Sequence, residues 1–212
     1  MTTRLPLRVE PMPGEWWRSY LLRVAATYGV HPFNVLGRIH GIESVDRRHL
    51  RWSGIAMSDV TAKLVGPIVN LDPGEIQAMH LSVYDGSVLT FTGRSHEDLD
   101  PAKASTVDRL LLGDAGPLVK VTSDRFCRRC VNRAPDYRAT SWRLLLHLVC
   151  TRHHLLLTDP AGVGKHIAID DTVVDSQREV LGRLSPSDAN ADFWLSRHGG
   201  CPEFRGTSVA VR

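Results

Sequence analysis

Cys127-Arg128-Arg129-Cys130 and Cys150-Thr151-Arg152-His153 decide how this chain is interpreted. The first is a C-x2-C pair, the second a C-x2-H pair, and nineteen residues separate them. Two ligands held two residues apart can grip one ion from a single tight turn. A second such pair closes the tetrahedron that Zn²⁺ prefers with thiolate and imidazole. The candidate ligands are therefore Cys127, Cys130, Cys150 and His153, with the neighbouring His154 an alternative fourth ligand that spacing does not separate. Residues 137–149 between the pairs are too few to bury a core of their own, so metal is expected to supply much of the local folding free energy. Four protein ligands leave no open position, which points to structural and not catalytic zinc.

Charge gathers around the same stretch. The whole chain of 212 residues has a formal net charge of +3. Between residues 123 and 154 seven arginines (125, 128, 129, 133, 138, 143 and 152) face only Asp124 and Asp136, a balance of +5 that leaves the remainder at −2. Arginine suits bidentate contacts to phosphate or carboxylate, so Arg125, Arg128, Arg129, Arg133, Arg138 and Arg152 are candidate contacts to nucleic acid or to an acidic protein surface. Apolar content of 42% is ordinary for a globular protein, and no apolar run approaches the roughly 18 to 20 residues that span a bilayer. The start of the chain, broken by Pro6, Pro11 and Pro13, lacks a charged-then-apolar signal pattern. Three of four cysteines sit in the metal pattern, which fits a reducing cytoplasm; Cys201 is left over in the tail.

Outward from that centre the chain is mainly helical in pattern, with a small zinc-finger or zinc-ribbon module. The proline-rich residues 1–14 predict an extended arm. From Glu15, the residues Trp16, Trp17, Tyr20, Leu21, Val24 and Tyr28 recur at helical spacing up to Gly29, a plausible helix stop. A short helix should follow from Pro32. Ser58 or Asp59 can cap a helix through Val60, Leu64 and Val65 that Gly66-Pro67 would end or kink. Asp72-Pro73-Gly74-Glu75 then offers a cap, a first-turn proline and a carboxylate three residues on. Together these two segments have a helix-turn-helix outline, although the second carries Glu75 and Gln77 and no basic residue to meet phosphate. A strand at 88–91, a helix at 107–112, a strand at 167–169 and helices at 171–184 and 188–198 complete the pattern. The expected divisions are 1–92 helical, 93–120 linker, 121–160 metal module and 161–212 helices and tail.

Two catalytic or nucleotide-binding patterns fail. The glycines at 162 and 164 before Lys165 suggest a phosphate loop, but Asp159 stands where the first glycine belongs and His166 where Ser or Thr is needed. His153, His154, Asn190 and His198 loosely suggest a metal-dependent nuclease, but His153 is already committed to the structural site.

The chain resembles the TniQ (TnsD/TniQ) family of transposition target-selection proteins. The resemblance runs through Leu5-Pro6, Pro13-Gly14-Glu15, Trp17, Ser19, Tyr20, Leu21, Arg23, Ala25 and Gly29, with Tyr20 where tryptophan is usual. It resumes at Arg125-Phe126-Cys127 through Cys130, Tyr137, Trp142-Arg143-Leu144 and Cys150 through His153, with Arg128 and Thr151 where the family has prolines. Many members add another C-x2-C after the C-x2-H; residues 158–162 here hold no cysteine, so one zinc is expected. The resemblance implies a non-enzymatic adaptor between a target (DNA, or an RNA-guided complex on DNA) and a TnsC-like AAA+ ATPase that recruits the transposase. It also implies that Trp16, Trp17 and Tyr20 belong to a partner-binding helix. Self-association is left open.

Overall fold

The computed structural model describes residues 4–40, 53–85, 119, 125–159 and 167–184. Helix dominates these residues: α1 (Trp17–Tyr28), α2 (Pro32–His40), α3 (Asp59–Val69), α4 (Pro73–Gln77), α5 (Arg128–Arg133) and α6 (Asp171–Arg183). One antiparallel pair, β1 (Val149–Cys150) with β2 (Leu155–Leu156), is the sheet among the described residues, in the register Val149 to Leu156 and Cys150 to Leu155. The strand expected at 88–91, the linker at 93–120 apart from Val119, the helices at 107–112 and 188–198, the glycines at 162 and 164, and the tail lie outside the described residues. So do the boundaries placed at 92, 120 and 160. Residues 167–169 join the sheet edge only through an isolated bridge between Ala168 and Leu155.

α1 is the helix around which the N-terminal half packs. Gly29 ends it at φ 62°, where its N–H reaches the carbonyls of Ala25 and Ala26, a left-handed cap that costs glycine little. Trp17, Tyr20, Leu21 and Val24 are all 0% exposed. They lie one turn apart on the face that meets α2 and the α3–α4 segment, and burial of each such side chain is worth about 2 kcal/mol. Trp17 stacks on Tyr20 at 5.3 Å and tilts against His80 at 5.5 Å. Trp16, Trp17 and Tyr20, the residues expected on a partner-binding helix, are 2%, 0% and 0% exposed and pack in the core. Their area is worth more inside a small helical core than at its surface.

α3 begins where expected, with the Ser58 hydroxyl accepting from the Thr61 N–H at 3.1 Å. It does not stop at Gly66-Pro67 but runs on to Val69 and ends at Asn70, in the left-handed conformation at φ 61°. Gly66 explains how. A Cβ there would lie 2.7 Å from the Leu71 carbonyl oxygen, so only glycine lets the chain fold back and place the Leu71 N–H 3.1 Å from Gly66 O. Val60 and Leu64 face outward, 69% and 68% exposed, and Val65 alone of the three expected apolar positions is buried. α4 has Pro73 at its first position and Glu75 accepting from the Asp72 N–H at 2.9 Å, but is only five residues long.

The N-terminal arm straps these helices together. Leu5 N–H donates to Ile68 O at 2.8 Å, and the Tyr28 hydroxyl accepts from Leu7 N–H at 2.7 Å while facing Leu7 O at 2.9 Å. Farther on, Glu15 turns its wholly buried carboxylate into a four-donor node. Oε1 accepts from Arg23 Nε at 2.8 Å and lies 2.9 Å from the Ser19 hydroxyl; Oε2 accepts from Arg23 Nη2 at 2.6 Å and from Met12 N–H at 3.0 Å. Its backbone pairs with Ala139 in an isolated antiparallel bridge. The arm thereby meets the segment that carries the cysteines. Removing one partner of such a buried pair leaves the other charge uncompensated. Glu15→Gln is expected to lower unfolding free energy by about 3 kcal/mol in urea titration; a loss below about 0.5 kcal/mol, the size of an ordinary surface substitution, would contradict this role.

Candidate metal centre

Two local structures bring the half-sites together. Cys127 sits just before α5 and Cys130 within its first turn, so the helix start presents both sulfurs to one side; Val131 N–H to Cys127 O (3.0 Å) and Ala134 N–H to Cys130 O (3.1 Å) set that turn. The β1–β2 hairpin supplies the other pair, Cys150 at the end of β1 and His153 in the turn. Phe126 and Thr158 exchange backbone hydrogen bonds of 2.9 and 3.0 Å, fastening the entry to the first pair against the exit from the second.

The four donor atoms all lie within 4.8 Å of one another. His153 Nδ1 is 3.4 Å from Cys127 Sγ, 3.3 Å from Cys130 Sγ and 3.6 Å from Cys150 Sγ, and the Cys130 and Cys150 sulfurs are 3.9 Å apart. A tetrahedral zinc site has edges of about 3.6 Å between S and N and about 3.8 Å between sulfurs, from its usual bond lengths. The donor set therefore fits a tetrahedral ion of zinc's size. The cysteines are buried and free of disulfides. Hydrogen bonding from Cys130 and Cys150 pulls the Cys127 thiol far down, while the hydrogen bond to Cys127 pushes the Cys150 thiol up. Three thiols this close share protons until a cation allows all of them to ionise.

The structure also separates the two histidines. His154 stands at φ 51°, which turns its ring away from the sulfurs, and its Nδ1 lies 2.7 Å from Asp171 Oδ1 at the start of α6. His153 is the residue in the cluster.

A family model described as TniQ matches residues 6–157. The chain belongs to the TniQ family. No curated protein and no solved structure matches it. TniQ proteins are non-enzymatic accessories of transposition, so this one is transposition-associated. The match spans the arm, α1 and both ligand pairs of this TniQ chain; α6 lies beyond it.

Within this TniQ module the arginines divide. Arg128, Arg129 and Arg133 on α5 are exposed. Arg125 is buried, donates to the Leu144 carbonyl and is thus spent on the fold. Arg138 is half-buried, donates to Pro135 O and Tyr137 O and lies over the Phe126 ring; Arg152 is also half-buried. Arg143, counted in the basic cluster, is 2% exposed with its guanidinium 3.5 Å from the Trp16 ring centre. Sequence patterns gave no weight to Gln177 or to His147, and Ser19 entered only through the family resemblance. Gln177 of α6 accepts from Leu148 N–H at 2.9 Å and donates to Leu146 O at 3.0 Å, pinning α6 to the hairpin. A helix-face pattern cannot foresee so distant a backbone partner, whereas the four-residue spacing of Glu15, Ser19 and Arg23 was a usable signal.

His147 is buried with Nε2 donating to Val149 O at 3.0 Å. Burial, helped by the charge of Arg125, lowers its pKa to about 4. A folded-state pKa below the unfolded value near 6.5 means that the unfolded chain takes up the proton first. Its contribution is present above pH 6.5 and is lost as pH falls toward 4. Between pH 7 and 5 the wild type should lose about 2 kcal/mol relative to His147→Asn in paired denaturation curves, the metal's own acid sensitivity cancelling in the comparison.

For the ligands, His153→Ala should abolish stoichiometric Co²⁺ binding, read by its visible thiolate absorption, while His154→Ala should retain it. Equal loss in both, or in neither, would contradict the assignment.

Proposed function

We propose that this chain is a non-enzymatic adaptor in DNA transposition, linking a target, either DNA or an RNA-guided complex on DNA, to a TnsC-like AAA+ ATPase that recruits the transposase. The observation that carries this reading is the family match across the arm, α1 and both ligand pairs. The metal held by Cys127, Cys130, Cys150 and His153 is proposed to be zinc, which would cross-link α5 to the β1–β2 hairpin without entering a reaction. The compartment proposed is the cytoplasm. Among the described residues no helix is long and apolar enough to cross a membrane.

The contact surface proposed for nucleic acid or an acidic partner is the exposed trio Arg128, Arg129 and Arg133, with Arg152 at its margin. A helix of six residues carrying three outward guanidinium groups can engage phosphate or carboxylate without reordering the core. The second reading, a stand-alone DNA-binding regulator using α3 and α4 as a helix-turn-helix, finds less support. α4 has five residues, and its Glu75 is paired with Arg8 at 3.1 Å instead of facing open solvent.

Affinity capture of the full chain from its native cell with ATP present is expected to recover an AAA+ ATPase; recovery of DNA with no ATPase would favour the regulator. Replacing Arg128, Arg129 and Arg133 together by Ala should weaken nucleic-acid or partner binding at least tenfold at low salt, with metal content unchanged. Unchanged binding would reduce those arginines to solvated surface.

A further inference from the structure

The metal centre and the N-terminal arm are distant in sequence and joined in space. α5 holds Cys130, and the chain leaving it is set by Tyr137 N–H to Ala134 O at 3.0 Å. The Tyr137 ring packs in the same apolar cluster as Cys127, Cys130 and Cys150, edge-on to Trp142 at 5.6 Å. From there residues 136–140 make a strip of bonds to residues 13–19. Trp16 N–H donates to Arg138 O at 2.8 Å, and Thr140 N–H to Gly14 O at 2.8 Å. The Tyr137 hydroxyl donates to Pro13 O at 2.9 Å, and the Thr140 hydroxyl to Glu15 O at 3.1 Å. The Ser19 hydroxyl lies 2.5 Å from Asp136 O and accepts from Arg138 N–H at 3.0 Å. Met12 packs directly against the cysteine cluster.

Residues 4–10 of the arm are held by α1 and α3, but residues 11–14 have few backbone donors of their own. Pro11 and Pro13 have no N–H to give, and the Met12 N–H goes to Glu15. Residues 136–140, for their part, have the arm as the extended partner along this edge. Each strip therefore orders the other. Whatever fixes α5 against the hairpin also fixes the register in which residues 136–140 meet the arm.

We propose that metal occupancy of the Cys127, Cys130, Cys150 and His153 cluster controls the ordering of residues 12–20, the end of the arm and the first turn of α1, a conformational coupling carried by the 13–19 to 136–140 strip. It rests on the metal-site reading above and goes beyond it, because it makes residues that lie 117 to 125 positions from their partners in 136–140 respond to the metal. Coupling of this kind is reciprocal: if the metal orders the arm, a weakened arm contact weakens metal affinity by the same factor. Ser19 thus becomes a positioning residue for a site that it does not touch.

The test uses the full chain and two readouts independent of transposition. Hydrogen exchange is followed by mass spectrometry with zinc bound and after chelation. Removal of the metal is expected to speed exchange in residues 12–20 at least tenfold, as in 127–157, while α3 changes less than twofold. Zinc affinity is then measured by chelator competition. Ser19→Ala is expected to raise the zinc dissociation constant roughly tenfold and Tyr137→Phe, which deletes one hydroxyl and keeps the ring, roughly threefold. Should Ser19→Ala fail to fold, Tyr137→Phe carries the affinity test alone. Protection of residues 12–20 that survives metal removal, or wild-type zinc affinity in a folded variant, would overturn the coupling while leaving the metal site standing. A wild-type chain that binds no zinc would overturn both.

Discussion

Three cysteine sulfurs and one imidazole nitrogen meet inside 4.8 Å, and the C-terminal half of the described structure is arranged around that meeting. α5 has six residues and the β1–β2 strands two residues each, far less than an isolated helix or hairpin needs to persist in water. The apolar cluster around them is small and includes the cysteines themselves. A cation held there would compensate for the missing core, and the four donors are spaced for a tetrahedral ion.

The helical half is organised differently, by burial along α1. Two polar features join the halves. One is the Glu15 carboxylate, whose Ser19 partner also meets Asp136 O and accepts from Arg138 N–H in the other half. The other is Arg143, which brings a charge from the cysteine-bearing segment flat against Trp16. Both place charge in a nearly dry setting, where a satisfied group fixes one geometry and an unsatisfied one is costly. The match to the family runs from residue 6 to residue 157, a range that takes in the arm, α1 and the metal cluster.

The sequence made much of this legible where chemistry is local. The ligand pairs are found by spacing alone, because a metal needs donors at fixed separations. Gly29 and the Pro73-Gly74-Glu75 segment mark helix ends because capping involves only a few adjacent residues. Choosing between His153 and His154 was beyond spacing, since the difference is a left-handed backbone at His154 that turns its ring toward Asp171. The run of α3 through Gly66-Pro67 depends on a tertiary approach by Leu71 that no local rule contains. Counting arginines located the basic segment but could not tell Arg128 and Arg129, which are solvent-facing, from Arg125 and Arg143, which are inside. The aromatic stripe of α1 is an amphipathic signal found more often in a core than at an interface, and its neighbours here bury it.

The central claim is that the cluster is a metal site on which this half of the fold depends. The most direct measurement is elemental analysis of the purified full-length chain, with metal content compared before and after a chelator and folding followed alongside. The account predicts one zinc per chain and loss of ordered structure in residues 125–157 when it is withdrawn. A metal-free chain in which those residues remain folded would contradict it.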